Sequence, residues 1–387
     1  MKFKTYFLNI VNEDNQVLIF APIRAVLSWL SFVYLATIKA IIFLYKINFL
    51  KKYRAPIRII SVGNITWGGT GKTPLVQFIA EYLKNKEHKI AILIRGYGRV
   101  INCKFSRTNI YREDCSQGSV AISNKSLYSM PVTNYETMGD EAFMLSNNLN
   151  GVPVIVGADR IKSIKKAIKD YNVDTVVLDD GFQQRKIKKD MEVVVVDSNN
   201  PFGNGRLIPR GILREPTSSL KKADIIFLTK VNLGEDNLAE IKAALRKLNS
   251  RALILESVYE PKCLKDLYNN DIVPTDFLKA KELCILSGIA SPGSFKHVLG
   301  SLRYNTKLCF DFPDHYVYRK IDLLKIFDAC RSGGIKNLVT TEKDAVRIQP
   351  LIRMYDGDLK FFSLVMEFDI LKDKDIFYDR LLSLYQC

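Results

Sequence analysis

The residues best suited to chemistry begin at Gly68-Gly69-Thr70-Gly71-Lys72-Thr73. An apolar run from Ile57 to Val62 precedes them, and a helical pattern from Leu75 to Leu83 follows. Strand, glycine turn, Lys-Thr and helix make a P-loop arrangement. Glycines let backbone N–H groups converge on phosphate oxygens, and the helix start adds its positive end. Lys72 can reach the β- and γ-phosphates, and the Thr73 hydroxyl can ligate Mg²⁺. Gly68, Gly69, Thr70, Gly71, Lys72 and Thr73 are therefore the candidate nucleotide site. The spacing is atypical, because G-x-x-x-x-G-K-[ST] wants a glycine where Thr66 stands. Pro74 suits the first helical turn, which has no intrahelical N–H bond to lose.

Acids and bases recur at the ends of other apolar runs. Val173 to Leu178 ends in Asp179-Asp180-Gly181-Phe182-Gln183. An apolar strand followed by Asp is the pattern of a carboxylate that completes a Mg²⁺ shell beside Thr73; a helix cap plus a turn is the alternative. Gly139-Asp140-Glu141 leads into a helix, where Asp140 reads either as a cap or as a reactive acid. His315 sits among aromatics in Phe312-Pro-Asp-His-Tyr-Val-Tyr318. The stretch 340–347, TTEKDAVR, is dense in charge and reads as a capped helix start. In the loop 199–217, Arg206, Arg210 and Arg214 offer guanidiniums for bidentate anion recognition. Arg95 and Gln183, at strand ends, join Arg206 and Arg214 as candidate substrate contacts.

The elements that must position these groups alternate along the chain. Strands are expected at 57–62, 89–94, 152–156, 173–178, 192–197 and 225–229, with helices between them. Continuously apolar strands alternating with helices predict a parallel sheet covered on both faces. A second alternation, from about 250, predicts a smaller α/β domain. The expected division is a helical segment over 1–50, a kinase-like core over 51–255 and a C-terminal domain over 256–387. Residues 100–134 are polar and longer than an ordinary connection, so an inserted lobe or loop is expected there. In open parallel sheets ligands sit outside the carboxyl ends of the strands, where the P-loop, Arg95, Asp140 and Asp179-Asp180 all fall.

The stretch 25–45 is almost wholly apolar, broken by Lys39 and flanked by Arg24, Lys46, Lys51, Lys52 and Arg54. As a helix it covers about 30 Å. A membrane-inserted anchor, an interfacial helix with Lys39 snorkelling, and a buried core helix are the three readings. The basic flank places the P-loop domain on the cytoplasmic side. In 387 residues, 57 Lys and Arg stand against 41 Asp and Glu, a net +16 that suits an anionic partner. No nucleic-acid module is recognisable, so an acidic membrane or a phosphorylated substrate is the expected partner. Seven cysteines, odd in number and without a C-x-x-C pair, argue against a zinc site or disulfide framework. Three histidines exclude a histidine-rich metal site.

Taken in order, GGTGKTP (68–74), RGYGR (95–99), GDE (139–141), DDGFQ (179–183), RLIPRGILREP (206–216), FPDHYVY (312–318) and TTEKDAVR (340–347) resemble the tetraacyldisaccharide 4'-kinase family, the lipid A 4'-kinases of Gram-negative bacteria. The likeness spans most of the chain, including the apolar N-terminal helix, a membrane anchor in that family. It implies ATP- and Mg²⁺-dependent phosphorylation of the 4'-hydroxyl of the tetraacyldisaccharide 1-phosphate lipid A precursor, on the cytoplasmic face of the inner membrane. By the same likeness Asp140 and His315 are the base pair, Lys72 and Thr73 the P-loop pair, Asp179 and Asp180 the metal-holding acids, and Glu215 an acid near the metal. Three positions depart from the family pattern: Ala142 replaces Pro after Gly-Asp-Glu, Tyr316 stands where a second His is common, and 100–134 is longer. In the expected mechanism Asp140, assisted by His315, accepts the sugar proton, and the C-terminal domain carrying His315 closes over the first. A membrane-associated P-loop switch is the rival class; it needs an NKxD-like base-reading motif, which the sequence lacks.

Overall fold

The computed structural model describes residues 21–95, 119–122, 139–233, 237–289, 291–353 and 357–386. In chain order, helix Ala21–Lys46 (α1) leads to strand Arg58–Gly63 (β1), helix Lys72–Asn85 (α2) and strands Ile90–Ile94 (β2) and Ser119–Ile122 (β3). Helix Asp140–Asn148 (α3), strand Val154–Gly157 (β4) and helix Arg160–Tyr171 (α4) precede strands Thr175–Asp179 (β5), Met191–Asp197 (β6) and Ile225–Thr229 (β7). Helix Leu238–Leu248 (α5) is followed by strands Leu253–Asp266 (β8), Ile272–Val273 (β9) and Glu282–Ser287 (β10). Helix Pro292–Ser301 (α6), strand Asn305–Asp311 (β11), helix Lys320–Ser332 (α7) and strand Asn337–Thr341 (β12) come next. Helix Glu342–Ile352 (α8), strand Lys360–Ile370 (β13) and helix Lys374–Leu382 (α9) complete the chain.

Two compact units result. The first comprises Met1–Arg95, Gly157–Val258 and Asp369–Cys387; the second comprises Gly96–Val156 and Tyr259–Phe368. The expected division at 255/256 lies close to the crossing at Val258/Tyr259. The units are nevertheless discontinuous, since 96–156 joins the second unit and 369–387 returns to the first. Periodicity follows the chain, and a segment that passes from one unit to another carries no local mark of it. The expected lobe at 100–134 lies outside the described residues except for β3.

In the first unit the strand order is β8–β7–β6–β1–β5–β2, all parallel. β2, β5 and β7 are buried at every residue, as a sheet covered on both faces requires. α2 lays one stripe, Leu75, Val76, Ile79, Ala80 and Leu83, into this core. α9, which the sequence pattern did not mark, packs on α2. Tyr378 stacks on Tyr82 with centroids 3.9 Å apart, and Phe377 meets Phe227 edge-on at 5.1 Å. The signal was weak because Phe377 and Leu381 are the buried residues of a helix otherwise rich in charge.

The second unit has parallel strands in the order β11–β10–β12–β13, with β8 beside β13 and β9 antiparallel to β8. Side chains alternate faces along each strand. Leu338 and Phe361 accordingly enter a cluster with Leu323, Phe327 and Ile348 from α7 and α8. Their neighbours Val339 and Phe362 enter another with Phe295 and Leu299 of α6.

One close approach sets the geometry at the end of β1. A Cβ added to Gly63 would lie 2.5 Å from the Cβ of Phe182 and 2.7 Å from its backbone nitrogen. Gly63→Ala should therefore force β1 and the chain after β5 apart. The expected loss is about 1–3 kcal/mol, read as a lowered midpoint in denaturant unfolding; an unchanged midpoint would show that the two segments can separate freely.

Candidate active site

Two groups of side chains form, one in each unit. In the first, α2 starts directly after Gly71, whose φ of 83° is a left-handed value that only glycine takes without strain. The loop before it is fixed by short polar bonds. Asn64 Nδ2 donates to Thr70 Oγ1 at 3.0 Å, Thr229 Oγ1 donates to the Thr70 carbonyl at 3.0 Å, and Lys230 Nζ donates to the Gly69 carbonyl at 3.1 Å. Lys72 and Thr73 occupy the first turn of α2.

β5 delivers Asp179 and Asp180 beside this turn. Asp180 has φ 53°, and the next amide, Gly181 N–H, donates to the Val62 carbonyl at 2.9 Å. Lys72 Nζ lies 4.0 Å from Asp180 Oδ1. Arg214 forks onto the same carboxylate, Nη1 to Oδ1 at 2.8 Å and Nη2 to Oδ2 at 3.1 Å. Arg160, itself buried, donates to the Asp179 carbonyl at 2.9 Å. Glu215 is buried against Arg185 and accepts from Ser219 Oγ at 2.9 Å.

These donors suit a hard cation. Magnesium on a P-loop needs one or two carboxylates with substrate phosphates, rather than a full protein cage. Thr73 with Asp179 and Asp180 supplies oxygen donors of that kind at one strand end. Among the described residues no group of three or more His, Cys, Asp or Glu side chains converges as a metal cluster. Glu215 is committed to Arg185 and Ser219, as Asp180 is to Arg214.

The second unit holds the other group. Asp140 opens α3, which packs on α8. His315, in a left-handed conformation at φ 58°, places Nδ1 3.1 Å from Asp140 Oδ2. Arg347 from α8 donates to the same oxygen, and Lys343, one turn earlier on α8, lies 3.9 Å from it. Lys343 Nζ is also 3.2 Å from His315 Nε2, 3.5 Å from Glu141 and 3.4 Å from Asp314. Arg347 is held in turn by Asp344 at 3.1 Å and the Gly288 carbonyl at 3.2 Å. Burial would raise the Asp140 carboxyl, but the His315 hydrogen bond and the charges of Lys343 and Arg347 outweigh it and hold Asp140 well below the usual carboxylate range.

Asp140 and His315 were expected to meet across two domains; both lie in the second unit. Of the other expected residues, Arg95 is exposed at the end of β2 and Arg206 is exposed on its loop. Gln183 Nε2 donates to the Asn64 carbonyl at 2.8 Å behind the P-loop, and Arg214 is on Asp180. Asn64, Arg185, Lys343 and Arg347 went unnoticed as site residues. Lys343 and Arg347 had a usable signal, since i and i+4 lie on one helix face. The Thr341 cap, whose Oγ1 accepts from the Asp344 N–H at 3.1 Å, agrees with the capped start expected there.

The profile of the tetraacyldisaccharide-1-P 4'-kinase family matches residues 23–386. The chain belongs to that family. Among relatives, the tetraacyldisaccharide 4'-kinase of Halothermothrix orenii is 32% identical over 381 residues, covering 95% of each chain. That of Elusimicrobium minutum is 34% identical over 343 residues, covering 88% of this chain and 86% of its own. The crystal structure of LpxK from Aquifex aeolicus in complex with ATP matches with a TM-score of 0.72 at 28% identity, covering 93% of this chain and 98% of that one.

Within this family frame Asp140 is a titration probe. Its folded value lies below its ordinary value of 3.8, so the ionised carboxylate stabilises the fold above that pH. That contribution is lost as the pH falls from 3.8 toward the lower folded value. Asp140→Asn should cost about 1–3 kcal/mol at neutral pH. Thermal melts of the two proteins should converge as the pH drops below 3.8; a pH-independent gap would contradict the charge assignment.

Proposed function

We propose that this chain transfers the γ-phosphoryl group of ATP to the 4'-hydroxyl of a tetraacyldisaccharide 1-phosphate, a step of lipid A biosynthesis. Family membership over nearly the whole chain supports the reaction class. The observation that carries the mechanism is the Asp140–His315 pair, held at 3.1 Å and clamped by Arg347. A switch NTPase is not favoured, because it would have no use for such a base.

In this reading Gly68 to Thr73 cradle the phosphates, and Lys72 places its charge on the β- and γ-groups. Thr73, Asp179 and Asp180 would hold Mg²⁺, with Glu215 as a further acid; the ion would neutralise charge on the transferred group. Arg95, Gln183, Arg206 and Arg214 are proposed contacts to the anionic substrate, with Arg214 also fixing Asp180.

The roles within the base pair are best assigned in the reverse of the sequence expectation. Asp140 is 11% exposed, engaged by three cations or donors, and stripped of basicity by them. His315 is 49% exposed. With Nδ1–H donated to Asp140, Nε2 is left as acceptor, facing Lys343 in this structure. We therefore read His315 as the group that takes the sugar proton and Asp140 as the anion that orients it.

One helix among the described residues, α1, is long and apolar enough to cross a membrane. We read it as lying in the interface of the inner membrane, with both units on the cytoplasmic face. Ser31 Oγ donates to the Leu207 carbonyl at 2.8 Å and accepts from the Arg210 N–H at 3.0 Å, and Tyr34 OH donates to the Arg214 carbonyl at 3.0 Å. A helix docked by that face on an arginine-bearing loop would carry those charges into hydrocarbon if it spanned, at high cost.

Kinase assays with ATP and the disaccharide 1-phosphate test these roles. Lys72→Ala should lower turnover by about 10³-fold with the fold intact. His315→Ala and Asp140→Ala should each lower kcat by about 10²–10⁴-fold, and the double variant should be no slower than the slower single. Added imidazole should restore activity to His315→Ala and not to Asp140→Ala. Rescue of neither variant, with additive losses, would remove the pair from the mechanism.

A further inference from the structure

Trp67 stands at the tip of the phosphate-binding loop with 66% of its surface exposed. An indole left this far in water is a large unburied apolar area with a single N–H donor, the profile of a side chain that settles at a membrane–water boundary. The loop tip is uncovered among the described residues: a Cβ added at Gly68 or Gly69 would meet nothing within 4 Å.

Its backbone is tied to the loop that carries α1. Trp67 N–H donates to the Ile212 carbonyl at 2.7 Å, Thr66 bridges to Leu213, and Leu213 bridges to Leu207. The Leu207 carbonyl accepts from Ser31 of α1. Trp67 and α1 are thus two apolar outcrops fastened to one short loop ladder within the first unit. α1 leaves Trp29, Phe32, Val33 and Phe43 exposed, and Lys46, Lys51, Lys52 and Arg54 follow them. Cations beside exposed aromatics match an anionic headgroup layer over an apolar core.

We propose that Trp67 is a membrane-interface anchor: its indole seats in the headgroup layer of an anionic phospholipid bilayer and holds the phosphate-binding loop at the membrane surface beside α1. This rests on the interfacial reading of α1 and adds to it a second contact, made by the nucleotide-binding loop itself. The γ-phosphate would then be presented at the depth where the hydroxyl of a membrane-embedded sugar lies, with no need to lift the lipid out of the bilayer.

The chain contains two tryptophans, Trp29 and Trp67, so each can be observed alone. Full-length Trp29→Phe reports Trp67, and full-length Trp67→Phe reports Trp29. Both would be titrated with vesicles of phosphatidylethanolamine and phosphatidylglycerol, with and without bromine on the acyl chain near the headgroup. Both emissions should shift to the blue and be quenched by the brominated lipid. Trp67→Thr should bind the vesicles roughly tenfold more weakly. Quenching of Trp29 without Trp67 would overturn the anchor while leaving the α1 reading intact. Quenching of neither would overturn both. Emission of Trp67 that answers to ATP and not to vesicles would make it a nucleotide-stacking residue and overturn the proposal.

Discussion

A buried carboxylate survives ionised only when cations and donors replace the water it has lost. Asp180 meets that condition through Lys72 on one side and the fork of Arg214 on the other. Much of the first unit is arranged around this contact. Arg214 is delivered by the loop 199–217, the same loop receives the backbone of Thr66 and Trp67, and α1 docks on its far side through Ser31 and Tyr34. Phosphate loop, acid strand and N-terminal helix are thereby tied through one arginine-bearing segment.

The second unit solves the same problem with different parts. Asp140 lies at the start of α3, and α8 sends two cations to it from successive turns. Arg347 is braced by Asp344, which is itself held by Tyr318 OH at 3.0 Å and the Gly288 N–H at 2.9 Å. The chain of bonds reaches from the core of the unit to an oxygen shared with His315. Such bracing fixes orientation as well as charge, and a base that must meet a hydroxyl at one angle depends on both.

In the mechanism we propose, the two units divide the work that phosphoryl transfer requires. Holding and neutralising phosphate calls for backbone amides, lysine and oxygen ligands, and these sit on the first sheet. Removing a proton calls for a half-exposed base with a fixed partner, and this sits on the second. The apolar helix supplies neither function. Its outward residues and the exposed indole of Trp67 bear on where the reaction takes place rather than on how.

Much of this was legible in the sequence. Continuously apolar strands alternating with helices announced a parallel sheet and a second α/β unit, and Gly71-Lys72-Thr73 announced the turn from β1 into α2, because those features depend only on near neighbours in the chain. The order of motifs pointed to the family, and Asp140 and His315 entered through that likeness. Tertiary structure decided the partners. That Asp140 falls in one unit with His315 has no local signature. That Lys343 and Arg347 serve Asp140 instead of solvent follows from the packing of α3 on α8, and a charged helix face reads the same in sequence whether it meets water or a buried acid. The docking of α1 by Ser31 and Tyr34 was equally hidden, because one hydroxyl in an apolar run shows its purpose only when a carbonyl lies opposite it.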